Sequence, residues 1–258
     1  MLSWLFLTAG IGLGSWWAYR ELGWGGYWYW DPVENASLIP WLTATALFHT
    51  LLISKHYNTL YNLNILLAIL TFAMSLIGTF LVRSGIITSV HTFATDPYRG
   101  IFILLMLIAI VGSALLIYAL RAKALVSTKV VKLPSLPRLI ALNATILILA
   151  SFIVLFGTIY PLIVELLSSV KITVAAPYFN SLISPLAILL CTLCILGSQV
   201  RWDSSNKLID LSRYKTAFLL ALILTSSTCF YFAITSALNI VAIFASFGLL
   251  VTIIKNSF

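Results

Sequence analysis

Charge is what this sequence has least of. Asp, Glu, Lys and Arg together make up 9% of 258 residues, against 61% hydrophobic types, and the mean hydropathy is +1.07. A soluble domain carries about 25% charged residues. With so few, the chain cannot cover a globular surface with water-loving groups, so lipid must solvate most of it. That excludes a soluble enzyme, a nucleic-acid binder and a disordered chain. Cysteine is nearly as scarce: Cys191, Cys194 and Cys229 are too few for a disulfide framework. Acids number seven and histidines three, so each can be weighed singly.

What the chain has in quantity is long apolar runs. A bilayer core needs about 20 apolar residues per helix. Eight stretches qualify: 2–19, 38–54, 62–82, 101–120, 139–163, 183–200, 216–236 and 238–254, the last two divided near Asn239. The first has no basic lead, since Arg20 is the first charge, and reads as a span rather than a cleaved leader. The expectation is an all-α integral membrane protein of about eight transmembrane helices. Eight crossings put both termini on one side. If that side is the inner one, inner segments hold 11 of the 15 basic residues, and outer segments hold Arg20, Arg83, Arg99 and Lys171 with five of the seven acids. The asymmetry follows the rule that basic residues stay inside. It also places segments 20–37 and 83–100 on the same outer face.

Residues 16–30 read WWAYRELGWGGYWYW, with eight aromatics in fifteen positions. An interfacial aromatic belt is one reading, but a belt is spread over all helix ends. The concentration here, with Gly23, Gly25 and Gly26 among the rings, suits a wall for a large planar apolar ligand. Asp31-Pro32-Val33-Glu34 follows directly. It has the pattern of an N-cap, a proline at the first helical position and a capping-box glutamate, so these acids start the second helix near Pro32; a catalytic carboxylate pair is the alternative. His49 stands about eleven residues into the second span, a depth of roughly 16 Å, where an ionisable group is a functional candidate. His91, in the outer connection, is by itself an ordinary polar loop residue, and His56 reads as solvated.

WGGYWYWDPVENASLIPW (24–41) resembles the tryptophan-rich WWD signature of the haem-handling proteins, and its Asp-Pro-Val-Glu-Asn-Ala is similar to CcmF, the cytochrome c haem lyase component of a multi-protein maturation system. Further likeness to that family lies in GTFLVRSGIITSVHTFATDPYRG (78–100), Gly157-Thr158 with Tyr160-Pro161-Leu162, Ala176-Pro177-Tyr178-Phe179-Asn180, and Arg201-Trp202. The resemblance covers about residues 1–202. Tyr27 and Tyr29 depart from the family's usual aromatics but keep ring surface. The family protein is longer at both ends and uses four haem-ligand histidines, of which two match here.

The resemblance implies two haem sites. His91 would ligate a substrate haem on a platform formed by Trp24, Tyr27, Trp28, Trp30 and Asp31, and His49 would ligate a b-type haem inside the membrane. Arg83 and Arg99, with Arg20, are candidates for the two haem propionates, although each also suits helix-end snorkelling. Residues 1–100 would form the haem-handling core and 101–258 a helical scaffold. Implied partners are further CcmF polypeptides supplying the missing axial histidines, the haem chaperone CcmE, and apocytochrome c with its thiol-reducing partner. The implied setting is a split protein of the mitochondrial inner membrane, or the bacterial inner membrane. The activity would be thioether attachment of haem to a CxxCH motif, with a haem carrier or exporter as the alternative. Cys191 and Cys194 lie within the sixth span with no histidine after them, so they are not such an attachment motif and read as small apolar packing. Removing the charge of Arg83 or Arg99 should lower haem retention, measured as haem absorbance per protein after purification; unchanged haem content would refute the propionate reading.

Overall fold

The structure is a computed structural model of the chain, and it describes residues 1–23, 26–87, 89, 96–125, 135–198, 200, 202 and 215–257. The described residues form eight α-helices and a short 3-10 turn: α1 (Leu2–Glu21), α2 (Pro32–Tyr57), α3 (Tyr61–Ser84), α4 (Pro97–Arg121, followed by the turn Ala122–Leu125), α5 (Ser135–Ser168), α6 (Ala176–Gly197), α7 (Lys215–Tyr231) and α8 (Ala237–Ser257). The chain is thus an all-α membrane protein. Helices dominate because lipid offers no partner for backbone N–H and C=O groups, so each segment must satisfy its own. The side-chain hydroxyls obey the same constraint. Thr71, Thr158, Thr225 and Thr252 each donate to the carbonyl four residues back, at 2.7 Å.

Six helices are long and apolar enough to cross a bilayer: α2 to α6 and α8. α7 has 17 residues, and α1 carries three tryptophans, three glycines and several hydroxyls that lower its hydropathy. A count of eight crossings therefore rests on more than helix length. α2 begins at Pro32, as the capping-box pattern implied and six residues ahead of its apolar run, because the cap starts the helix while the sequence is still polar; α6 begins at Ala176, seven residues ahead of its run. The last two helices part at 232–236 rather than near Asn239, which lies inside α8. There Ala233 adopts a left-handed φ of 51°, and the Ile234 N–H reaches back to the Cys229 carbonyl at 3.0 Å, a Schellman closure.

The helices group into two compact units, Met1–Val130 with Leu147–Phe179, and Val131–Ile146 with Asn180–Phe258. In the first unit α2 is the central helix. Trp4 Nε1 donates to Thr45 Oγ1 and Trp41 Nε1 to Thr8 Oγ1, both at 2.9 Å, and the two indoles stack at 6.2 Å. This reciprocal latch holds α1 to α2. In the second unit Asn143 Nδ2 donates to Cys194 Sγ at 3.4 Å, and Phe218 meets Phe244 edge-on at 5.3 Å.

Proline inside a helix removes the N–H that would bond the carbonyl four residues earlier. In α2 the proline is Pro40, so the freed carbonyl is that of Ala36. Gly78 of α3 packs on this same carbonyl: a Cβ at position 78 would lie 2.7 Å from the Ala36 oxygen. In α5, Pro161 frees the carbonyl of Gly157, where an added Cβ would lie 2.6 Å from both the Tyr178 and Phe179 rings. Proline and glycine thus work as pairs that let helices approach closely. Gly78→Ala should therefore lower the thermal midpoint in detergent, at a cost of about 1–3 kcal/mol. Gly112→Ala, where a Cβ would meet nothing within 4 Å, should leave the midpoint unlowered.

Candidate functional site

The aromatic segment is held from behind by the first turn of α2. Asp31 caps the helix, its Oδ2 accepting the Val33 N–H at 3.0 Å. Glu34, only 8% exposed, turns its Oε2 back to accept the N–H groups of Tyr29 at 3.0 Å and Asp31 at 3.1 Å. Asn35, 1% exposed, donates from Nδ2 to the Trp30 carbonyl at 3.1 Å and to Thr158 Oγ1 of α5 at 3.0 Å. Three consecutive residues, Tyr29, Trp30 and Asp31, are gripped by the helix they precede. Trp30 takes a left-handed φ of 59°, and its ring stacks on Phe179 of α6 at 4.9 Å and 11°. Gly157 leaves the room for that ring.

The rings then divide by role. Trp30 is packed, with Phe179 on one face and Trp28 at its edge, 6.0 Å away. Tyr27 and Tyr29 are exposed, as are Trp16, Trp17 and Tyr19 at the end of α1, and Tyr19 stacks on Tyr27 at 4.8 Å. Below them a cleft of about 270 Å³ opens between α1 and α2, lined by Gly10, Gly14, Trp17, Trp28, Val33 and Ser37 among others. Trp28 Nε1 is buried there with no acceptor among the described residues. Gly23, at φ +65°, supplies the left-handed turn that leaves α1. Trp24 lies outside the described residues.

The second outer connection meets the first. Ser89 Oγ donates to Asp31 Oδ2 at 2.6 Å, joining positions 58 apart in sequence. The connection is closed at its base by the Asp96 N–H on the Arg83 carbonyl at 2.9 Å, and Gly100 of α4 rests against Ser84 of α3. Segments 20–37 and 83–100 therefore share one end of the first unit, as the charge pattern implied. Arg83 ends α3, while Arg99 begins α4 and pairs with Asp96 at 3.1 Å, with the Arg99 side chain 75% exposed. An ion pair so open to solvent contributes little. His91 lies outside the described residues.

His49 does not join this cluster. It stands seventeen residues beyond Pro32, about 26 Å along the helix, because α2 starts earlier than its apolar run. Its neighbours in the helical repeat are Ala46 and Ile53, both 0% exposed, and its Nδ1 is buried with no hydrogen-bond partner among the described residues. A half-buried imidazole with an unused nitrogen beside an alanine fits an axial donor to a haem iron. Among the described residues no three of His, Cys, Asp and Glu gather.

Residues 1–88 match the cytochrome C assembly protein family. CycK, a cytochrome c-type biogenesis protein of Bradyrhizobium diazoefficiens, is 50% identical over 208 residues, 81% of this chain and 32% of CycK. CcmF of Pseudomonas aeruginosa, likewise a cytochrome c-type biogenesis protein, is 48% identical over 205 residues, 80% of this chain and 31% of its own. A solved structure described as cytochrome c heme lyase CcmF superposes with a TM-score of 0.69 at 29% identity, covering 98% of this chain and 36% of that one. This is an all-helical, multi-pass membrane protein whose residues 1–88 match the cytochrome c assembly family. Within that family it is similar to CcmF, and it spans about a third of the length of the relatives it matches.

Sequence reasoning found the acids of the cap but did not assign Asn35, Thr158, Phe179 or Ser89 to the site. Asn35 carried a readable signal, an amide one position beyond a capping box and facing inward. Ser89 carried none, because a lone serine in a connection says nothing of what it meets. Glu34→Ala removes the acceptor of two part-buried N–H groups and should cost about 1–3 kcal/mol. Glu34→Gln keeps an amide oxygen and should lose less. Thermal midpoints and tryptophan emission of the two variants check this.

Proposed function

We propose that this chain is part of the haem lyase of cytochrome c maturation, and that it presents haem at its outer aromatic face for attachment to the two thiols of an apocytochrome c CxxCH motif. The observation that carries this reading is the Ser89–Asp31 hydrogen bond, which joins the connection that holds His91 to the tryptophan segment. Haem, the substrate, supplies two vinyl groups, and each thiol S–H adds across one of them with no net redox change. What this chain does is hold and orient. Tyr27, Trp28 and the neighbouring rings offer flat apolar surface, Trp30 and Asp31 keep that surface in place, the Trp28 indole N–H is available to an acceptor, and Arg83 and Arg99 lie at the same end for the propionates. Fixing both reactants in one orientation makes the addition effectively intramolecular.

In this reading His49 would hold a b-type haem within the membrane, and that haem, once reduced by an external electron donor, would supply the reducing equivalents for the outer iron. Residues 1–100 are the haem-handling core and 101–258 the helical scaffold. The remaining axial histidines come from the two thirds of the CcmF bundle that this sequence does not contain. A split protein of the mitochondrial inner membrane, with its aromatic segment facing the intermembrane space, accommodates that arrangement. The haem chaperone CcmE, apocytochrome c and a thiol reductant are its partners. The second reading, a haem carrier without ligation chemistry, uses the same platform but gives no part to the unpartnered nitrogen of His49.

Co-purification in mild detergent with absorbance spectra of the wild type, His49→Ala and His91→Ala tests the two sites. Each variant should lose a different haem signal, and identical spectra in all three would remove the two-site reading. An assay of covalent holocytochrome c formation separates lyase from carrier: no thioether product from the intact assembly would leave the carrier.

A further inference from the structure

We propose that Ser89 is a positioning residue of the outer haem site: through its hydrogen bond to Asp31 it sets the spacing between the connection after α3 and the tryptophan segment. The proposal deepens the function above and rests on it. Asp31 needs one backbone partner to cap α2, and Val33 supplies it. The same carboxylate oxygen also accepts the Ser89 hydroxyl at 2.6 Å in a part-buried setting. A hydroxyl on a carboxylate at that distance is among the stronger hydrogen bonds available to a side chain. Asp31 is itself immobilised, because its own N–H is held by Glu34 and the residue before it is stacked on Phe179 and tied by Asn35. The connection is anchored on its other flank by Ile87, 6% exposed, and at its base by Asp96 on the Arg83 carbonyl. Ser89 is therefore the point at which one anchored segment is referenced to the other.

The test uses the assembly purified with its companions. Haem is titrated into apo-protein, and the outer signal is defined as the one lost in His91→Ala. Ser89→Ala should weaken binding at that signal about tenfold, as expected for one charge-assisted hydrogen bond, while the signal lost in His49→Ala stays at its wild-type amplitude. Ser89→Thr, which keeps the hydroxyl, should restore most of the affinity. Wild-type titration in Ser89→Ala, or a threonine variant no better than the alanine one, would overturn the proposal. If His91→Ala matches the wild type, the haem reading itself fails.

Discussion

The structure turns on the way the first turn of α2 folds back on the chain that leads into it. A helix N-terminus has N–H groups without partners, and a segment of bare aromatics beside it has the same deficit. Asp31, Glu34 and Asn35 answer both at once. The carboxylates satisfy the helix start and the N–H groups of Tyr29 and Asp31, and the amide takes the Trp30 carbonyl. In a chain with seven acids in 258 residues, two are spent here on backbone geometry. The result is a rigid aromatic shelf attached to the end of a membrane helix, where loose rings would lie flat in the interface.

Around that turn the stretches that resemble CcmF converge. Gly78 meets the Ala36 carbonyl, Ser89 meets Asp31, Thr158 meets Asn35, and Phe179 meets Trp30. Each is a small or flat group brought against the DPVEN turn or its neighbour. Pro40 and Pro161 contribute by freeing carbonyls where glycines allow another helix or ring to approach. Several motifs scattered over 150 residues are therefore one packing arrangement seen in pieces. This explains why relatives that share only about a third of their length with this chain can still be 45–50% identical over the matched region.

Function in this architecture divides along α2. Its outer end carries the shelf. His49, about 26 Å further along, sits between Ala46 and Ile53 in the helical repeat, its Nδ1 without a partner among the described residues. One continuous helix thus spans both proposed haem positions, so their separation is set by backbone rise rather than by a flexible linker. The glycine-floored cleft between α1 and α2 lies against the shelf, and its lining by Trp17 and Trp28 gives the platform depth as well as a surface.

Composition alone determined that this chain lives in lipid, because 9% charge cannot solvate a globule, and the apolar runs marked the eight described helices, with α2 and α6 beginning six and seven residues ahead of theirs. The cap at Asp31 was legible too, since a capping box is a local pattern closed within four residues. The sequence could not reveal which partners those residues met at long range. That Asn35 reaches Thr158, that Trp30 is packed while Tyr27 and Tyr29 remain open, and that Ser89 lands on Asp31 were decided only when helices distant in sequence came together. Local hydrogen bonds are written in neighbouring residues, whereas a contact across 58 or 123 positions exists only once packing has chosen it.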